Sequence, residues 1–166
     1  MADRRKLKLA AAPTPLTPDH NLSSFSSGVQ ALDDWLRRRA LANQYSGASG
    51  TFVAEDAAGQ VIGFYSLAAG AVAHALGTGA VRRNVPNPIP VIVLARLAVS
   101  VQFQDLGLGA ALLQDAANRC QRVAEHAGVR AMLVHALDER AAAFYLHHGF
   151  VPSPVHERTL MLRLHN

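Results

Sequence analysis

Residues 91–113 constrain the fold more than any other stretch. Positions 91–99 are apolar except for Arg96 and rich in Val and Ile. Such a run reads as a strand buried on both faces. Gln104, Gly107 and Gly109 then punctuate a tight turn, and a helix follows through Ala110, Ala111, Leu112, Leu113, Ala116 and Ala117. Glycine lets the backbone approach a ligand closely, and the first turn of a helix leaves N–H groups without internal partners. With the positive end of the helix dipole, these make a phosphate site. The expectation is a pyrophosphate-bearing ligand at residues 104–110, although an ordinary strand–helix turn could use the same glycines. No Gly-Lys-Ser/Thr follows, which excludes a Walker loop. Gln104 stands where a dinucleotide fingerprint needs its first glycine.

At 166 residues, half of them hydrophobic and 17% charged, the chain reads as one globular domain over residues 1–166. Its net charge is +4, and 14 of its 16 basic residues are Arg. Arg offers a planar fork that suits phosphate and carboxylate, so the excess points to an anionic partner such as nucleic acid. A GC-rich codon bias would give the same excess. Cys120 is alone, which excludes a disulfide framework, and its apolar helical surroundings make it a core residue. The apolar run at 7–12 contains Lys8 and ends at Pro13, too little for a signal-peptide core. No run is long enough to span a membrane, and a cytoplasmic location is expected.

Along the chain, residues 6–12 predict a first strand and Pro13, Pro15 and Pro18 a stiff connector. Ser27 with Gln30 has capping-box spacing for a helix carrying Val29, Leu32, Trp35, Leu36 and Ala40 on one face. On that wheel Arg37 and Arg38 face away, while Arg39 falls close to the centre of the apolar face and needs an acidic partner, or must snorkel or reach a ligand; the competing reading of Arg37–Arg39 is a solvated helix face. Residues 51–56 and 61–69 read as a hairpin, and 70–80 are ambiguous between strand and loop. A basic, proline-rich connection follows at 82–88. Beyond the long helix, expected over 107–127 and closed by Gly128, come a strand at 132–136, a helix capped by Asp138 and closed by Gly149, and a last strand at 159–164. Hairpins mixed with strand–helix–strand crossovers predict an α+β fold, a mixed sheet with helices on both faces.

Gln104, Gly107 and Gly109 match Gln/Arg-x-x-Gly-x-Gly/Ala, the acyl-CoA motif of the GNAT acetyltransferases. Asp138, Ala141, Tyr145, Gly149 and Phe150 resemble that family's second motif, Asn-x-x-Ala-x-x-x-Tyr-x-x-x-Gly-Phe, with Asp138 replacing the usual Asn. The resemblance implies a GNAT fold whose central sheet splays at the acetyl-CoA site. It implies that Leu97, Ala98 and Val99 pair with pantetheine through their backbone. Gln104, Leu106, Gly107, Leu108, Gly109, Ala110 and Asp138 are then acetyl-CoA contacts, and Tyr145 protonates the departing thiolate. The segment before Gly107 is less basic than usual in the family, and the Arg frequent just after the second glycine is absent.

No Asp or Glu occurs between Ala57 and Gln104, where many relatives carry a general base. A lysine amine, with a pKa of about 10.4, needs a base more than an α-amine at about 7.7–8.0. The absence favours an α-amine substrate. Arg96, on the central strand, is either an ion-pair partner or a substrate contact. The eight histidines are scattered, and no metal is expected.

A narrower resemblance covers nearly the whole chain after Pro15. Residues 16–20, 32–40, 46–49, 51–53, 90–99 and 132–136 are similar to the GNAT toxins of bacterial toxin–antitoxin pairs. It implies transfer of acetyl from acetyl-CoA to the α-amine of aminoacyl-tRNA, which blocks translation. By the same resemblance Arg37, Arg38, Arg82, Arg83 and Arg96 hold tRNA phosphates, the partner is a ribbon–helix–helix antitoxin, and the toxin is a homodimer. The competing readings are a GNAT enzyme acting on a protein N-terminus, lysine or small amine, and a non-catalytic acyl-CoA-binding module.

Overall fold

Seven strands form one mixed sheet in the order β1-β2-β3-β4-β5-β7-β6. The strands are β1 (Thr14–Pro15), β2 (Gly50–Glu55), β3 (Val61–Val72), β4 (Ile89–Val99), β5 (Ala131–His135), β6 (Val151–Pro152) and β7 (Thr159–Arg163). The helices are α1 (Gln30–Arg38), α2 (Ala40–Ser46), α3 (Gly79–Arg82), α4 (Leu108–His126) and α5 (Glu139–His147). The computed structural model describes residues 11–85 and 87–165. All but the last two residues of the strand expected at 6–12 lie outside them. Among the described residues no helix is long and apolar enough to cross a membrane.

The chain forms two compact units. The first comprises residues up to Leu67 with Arg96–Ala116. The β2–β3 hairpin is antiparallel, from Gly50 opposite Leu67 to Glu55 opposite Val61. Its turn is held by Asp56, whose carboxylate accepts the N–H groups of Ala58 and Gln60 at 3.0 and 2.9 Å. Phe64 of β3 is fully buried against Phe25 and Trp35, with ring centroids 5.6 and 6.2 Å away. Burial of each such ring contributes about 1.5–3 kcal/mol. Gly63 lies under α4: a Cβ there would sit 2.9 Å from Leu112 Cδ1.

The second unit comprises Ala68–Ala95 and the chain from Ala117 onward. Val81, Ile89, Val91, Ala131, Leu133 and Met161 form its core. The ambiguous stretch at 70–80 divides: positions 70–72 finish β3, a 3₁₀ turn spans His74–Leu76, and α3 follows. α4 ends at His126, and Gly128 lies just beyond it without the positive φ of a left-handed glycine cap. Cys120 is buried, its thiol pushed up to about 12 by desolvation.

The first helix departs from expectation at both ends. Ser27 does not cap with Gln30; its N–H and hydroxyl go to the Asp33 carboxylate, and the helix begins at Gln30 after Val29. At Arg39 the backbone leaves helical geometry (φ −122°, ψ −29°), separating α1 from α2. The break resets the wheel, so Arg39 is exposed and needs no acidic partner.

Candidate active site

The apolar run forms β4, which pairs parallel with β5 over Val91, Ile92 and Val93, opposite Ala131, Met132 and Leu133. β4 continues past that ladder to Val99. There Ala95 is exposed and Arg96 and Leu97 are half-buried, although the strand is the middle one of seven. A strand end that runs beyond its neighbour's ladder can take up an extended ligand by strand-like hydrogen bonding. Ala98 and Val99 are buried, and the Val99 carbonyl already accepts the Gln104 side chain.

Beyond β4 the chain passes through a 3₁₀ turn at Val101–Phe103 and enters the left-handed region at Asp105 (φ +62°) and Gly107 (φ +86°). The Ala111 N–H donates to the Gly107 carbonyl at 3.1 Å. The N–H groups of Leu108, Gly109 and Ala110 therefore precede the helical ladder, as an anion site at a helix start requires. Leu108 is fully buried and anchors the turn, while Leu106, Gly109 and Ala110 are half-buried. Gln104 braces the turn: its Nε2 donates to the carbonyls of Ser27 and Val99 at 2.8 and 2.9 Å. Both amide hydrogens are thereby used, so the side chain shapes the turn rather than donating to a ligand.

In the second unit Asp138 caps α5 by accepting the Ala141 N–H at 2.8 Å, a bond that uses one carboxylate oxygen. Tyr145 is 7% exposed, its ring edge-on to Phe144 and Phe150 at centroid distances of 5.2 and 5.4 Å. Burial pushes its hydroxyl up to about 12. Among the described residues that hydroxyl has no hydrogen-bond partner, so its proton can be donated elsewhere.

Arg37 and Arg38 are exposed on α1, and Arg37 Nη1 donates to the Phe25 carbonyl at 2.6 Å. Arg96 lies over the Trp35 ring, 3.9 Å from its centroid, and Trp35 stacks on Phe64. No ion pair holds Arg96 among the described residues, which overturns the ion-pair alternative. Burial lowers its pKa, and the aromatic face compensates for part of the lost hydration. In the second unit Arg82 and Arg83 are exposed, and Arg130 Nη2 donates to the Arg83 carbonyl at 3.4 Å. The contacts of Trp35 with Arg96 and of Arg130 with Arg83 were not legible in the sequence, because each joins residues distant in the chain.

Two buried or half-buried carboxylates of the first unit are already engaged. Asp33 is occupied by Ser27, and Asp115 accepts the Tyr65 hydroxyl. His74 Nε2 is tied to the Val85 carbonyl at 2.9 Å. Among the described residues no three or more His, Cys, Asp or Glu gather as a metal site.

The acetyltransferase (GNAT) domain matches residues 47–152, from the first hairpin to the strand after Tyr145. The chain belongs to the GNAT family. A tRNA-acetylating toxin of Mycobacterium tuberculosis is 52% identical over 153 residues, 92% of this chain and 91% of that protein. Among solved structures, AtaT complexed with acetyl-methionyl-tRNAfMet matches at 26% identity with a TM-score of 0.84, over 92% of this GNAT chain and 94% of that one. An AtaT mutant bound to acetyl-CoA and the C-terminus of the antitoxin AtaR matches at 26% identity with a TM-score of 0.77, over 92% of each chain. The fold of this GNAT chain is therefore that of toxin acetyltransferases.

Proposed function

We propose that the chain acetylates the α-amine of the amino acid on charged tRNA, using acetyl-CoA, and blocks translation as the toxin of a toxin–antitoxin pair. The 52% identity to a tRNA-acetylating toxin over nearly the full length carries this reading. Two features of the chain support it. Exposed arginines on α1 and at the α3 turn lack acidic partners among the described residues, as expected of phosphate contacts. The lack of Asp and Glu between Ala57 and Gln104 suits an α-amine, substantially neutral at physiological pH.

Acetyl-CoA supplies the acetyl group as an activated thioester. The N–H groups of Leu108, Gly109 and Ala110 bind its pyrophosphate, and Leu106 and Gly107 set the turn that presents them. Backbone groups of Leu97 and Ala98 hold the pantetheine, and an N–H of this strand end polarises the thioester carbonyl. The neutral amine forms the C–N bond as the C–S bond breaks. Tyr145 gives its proton to the leaving sulfur, and the amine's surplus proton, passed through water, restores the phenol. A ribbon–helix–helix antitoxin as partner and a homodimer complete the proposal.

The direct test offers labelled acetyl-CoA to charged tRNA, deacylated tRNA and a protein mixture side by side. Label is expected on charged tRNA alone. Label on protein or small amines with charged tRNA untouched would overturn the proposal.

The arginines have their own signature. Arg82→Gln and Arg83→Gln are each expected to flatten the plot of log affinity for tRNA against log salt by about 0.7–0.9 per lost phosphate contact. The KM for acetyl-CoA should not move. Unchanged salt slopes in both variants would return these arginines to a solvated surface.

A further inference from the structure

A densely bonded polar cluster lies in the first unit, where the segment before α1 meets the turn at 104–110. Three successive carbonyls, of Phe25, Ser26 and Ser27, are each claimed by a side chain or N–H from a different element. Phe25 accepts Arg37 at 2.6 Å, Ser26 accepts the Val101 N–H at 2.8 Å and the Ser100 hydroxyl at 3.3 Å, and Ser27 accepts Gln104 Nε2 at 2.8 Å. On its other side Ser27 is gripped by Asp33. Its N–H reaches both carboxylate oxygens at 3.0 and 3.2 Å, and its hydroxyl reaches Oδ1 at 2.6 Å.

Asp33 is only 4% exposed. A buried carboxylate is costly unless its oxygens are hydrogen-bonded, and Ser27 provides those bonds. Asp33 lies in the first turn of α1, where the helix dipole favours a carboxylate, and it also holds a loop six residues back. Its consequence lies at Ser27, whose orientation aims the carbonyl at Gln104. Gln104 in turn ties that carbonyl to the Val99 carbonyl, and so joins the segment before α1 to the end of β4 and the first residue of the turn.

We infer that Asp33 is a positioning residue for acetyl-CoA, acting through Ser27 and Gln104 to hold the turn at 104–110 in its ligand-ready shape. The inference rests on acetyl-CoA binding at that turn and is independent of what accepts the acetyl group. Asp33 never touches the ligand. Its removal frees Ser27 to rotate, Gln104 loses a fixed acceptor, and the N–H groups at the start of α4 lose their alignment.

The test is the acetyl-CoA dissociation constant measured calorimetrically without acceptor, with the thermal midpoint as a control for folding. Asp33→Ala is expected to weaken binding about tenfold. Asp33→Asn, which retains an acceptor for the Ser27 hydroxyl and is the safer variant for folding, should fall between. Asp33→Ala combined with Gln104→Ala should bind within about twofold of the weaker single variant, because both break one connection. Affinities within about twofold of wild type in Asp33→Ala and Asp33→Asn, or losses that multiply in the double variant, overturn the inference. A change in midpoint without a change in affinity does the same, since it reports a purely structural role. A wild-type chain that binds no acetyl-CoA overturns the cofactor assignment and the positioning role of Asp33 together; wild-type binding with unaffected Asp33 variants overturns the positioning role alone.

Discussion

Tyr145→Phe is expected to lower kcat for acetyl transfer by about a hundredfold or more, with acetyl-CoA affinity nearly unchanged. The substitution removes one oxygen and leaves the buried ring against Phe144 and Phe150, so folding should be preserved. What is lost is the proton donor to the thiolate. With its hydroxyl pushed up to about 12, Tyr145 stays protonated across the working range. Desolvation favours the neutral form, so the donor is fully present below the ordinary phenol value and is lost only as pH climbs through about 12. The rate should therefore rise with pH as the substrate amine deprotonates, near 7.7–8.0 for a free α-amine. It should show no falling limb from Tyr145 below that high range. Tyr145→Phe should keep the rising limb at a much lower plateau. Growth arrest on expression should disappear with it. A variant retaining kcat within about threefold of wild type would remove Tyr145 from the chemistry.

Some of this was legible in the sequence because the signals are local. The glycine spacing at 104–109, the hairpin around Gly59 and the Asp138 cap each depend on a few adjacent residues with fixed backbone demands. The apolar run of β4 was readable for the same reason, and so was the core position of Cys120. The errors share the opposite character. Arg39 was placed on a buried face by assuming an unbroken helix, and nothing in the residue pattern marks the kink that turns it to solvent. Ser27 was paired with Gln30 because the capping template looks three residues ahead, whereas the buried partner, Asp33, lies one helical turn further on. Arg96 was placed on the right strand, but its neighbour Trp35 comes from a helix far away in the chain. Periodicity tells which way a side chain points and not what another element brings to meet it.

Gly107 and Gly109 were read as one motif, yet the backbone makes different demands at each, and their variants should differ accordingly. Gly107 sits at φ +86°, where an L-residue costs about 1–2 kcal/mol and a β-branched one more. Gly109 lies inside α4 and has an ordinary helical backbone, so its lack of a side chain serves the close approach of a ligand. Gly107→Ala should already weaken acetyl-CoA binding about tenfold, and Gly107→Val should do so further. The chain can relieve the strain only by rotating out of the left-handed region, which swings the N–H groups of Leu108 and Gly109 off their target. Gly109→Ala should be nearly neutral, because a methyl group fits where the family motif admits Ala. Gly109→Val should be severe, because its bulk meets the ligand. Affinity for tRNA and its salt slope should be untouched by all four, since the arginines lie on other elements. Equal losses in Gly107→Ala and Gly109→Ala would mean that the two glycines serve one steric purpose, and that the left-handed turn is not what presents the helix start to the pyrophosphate.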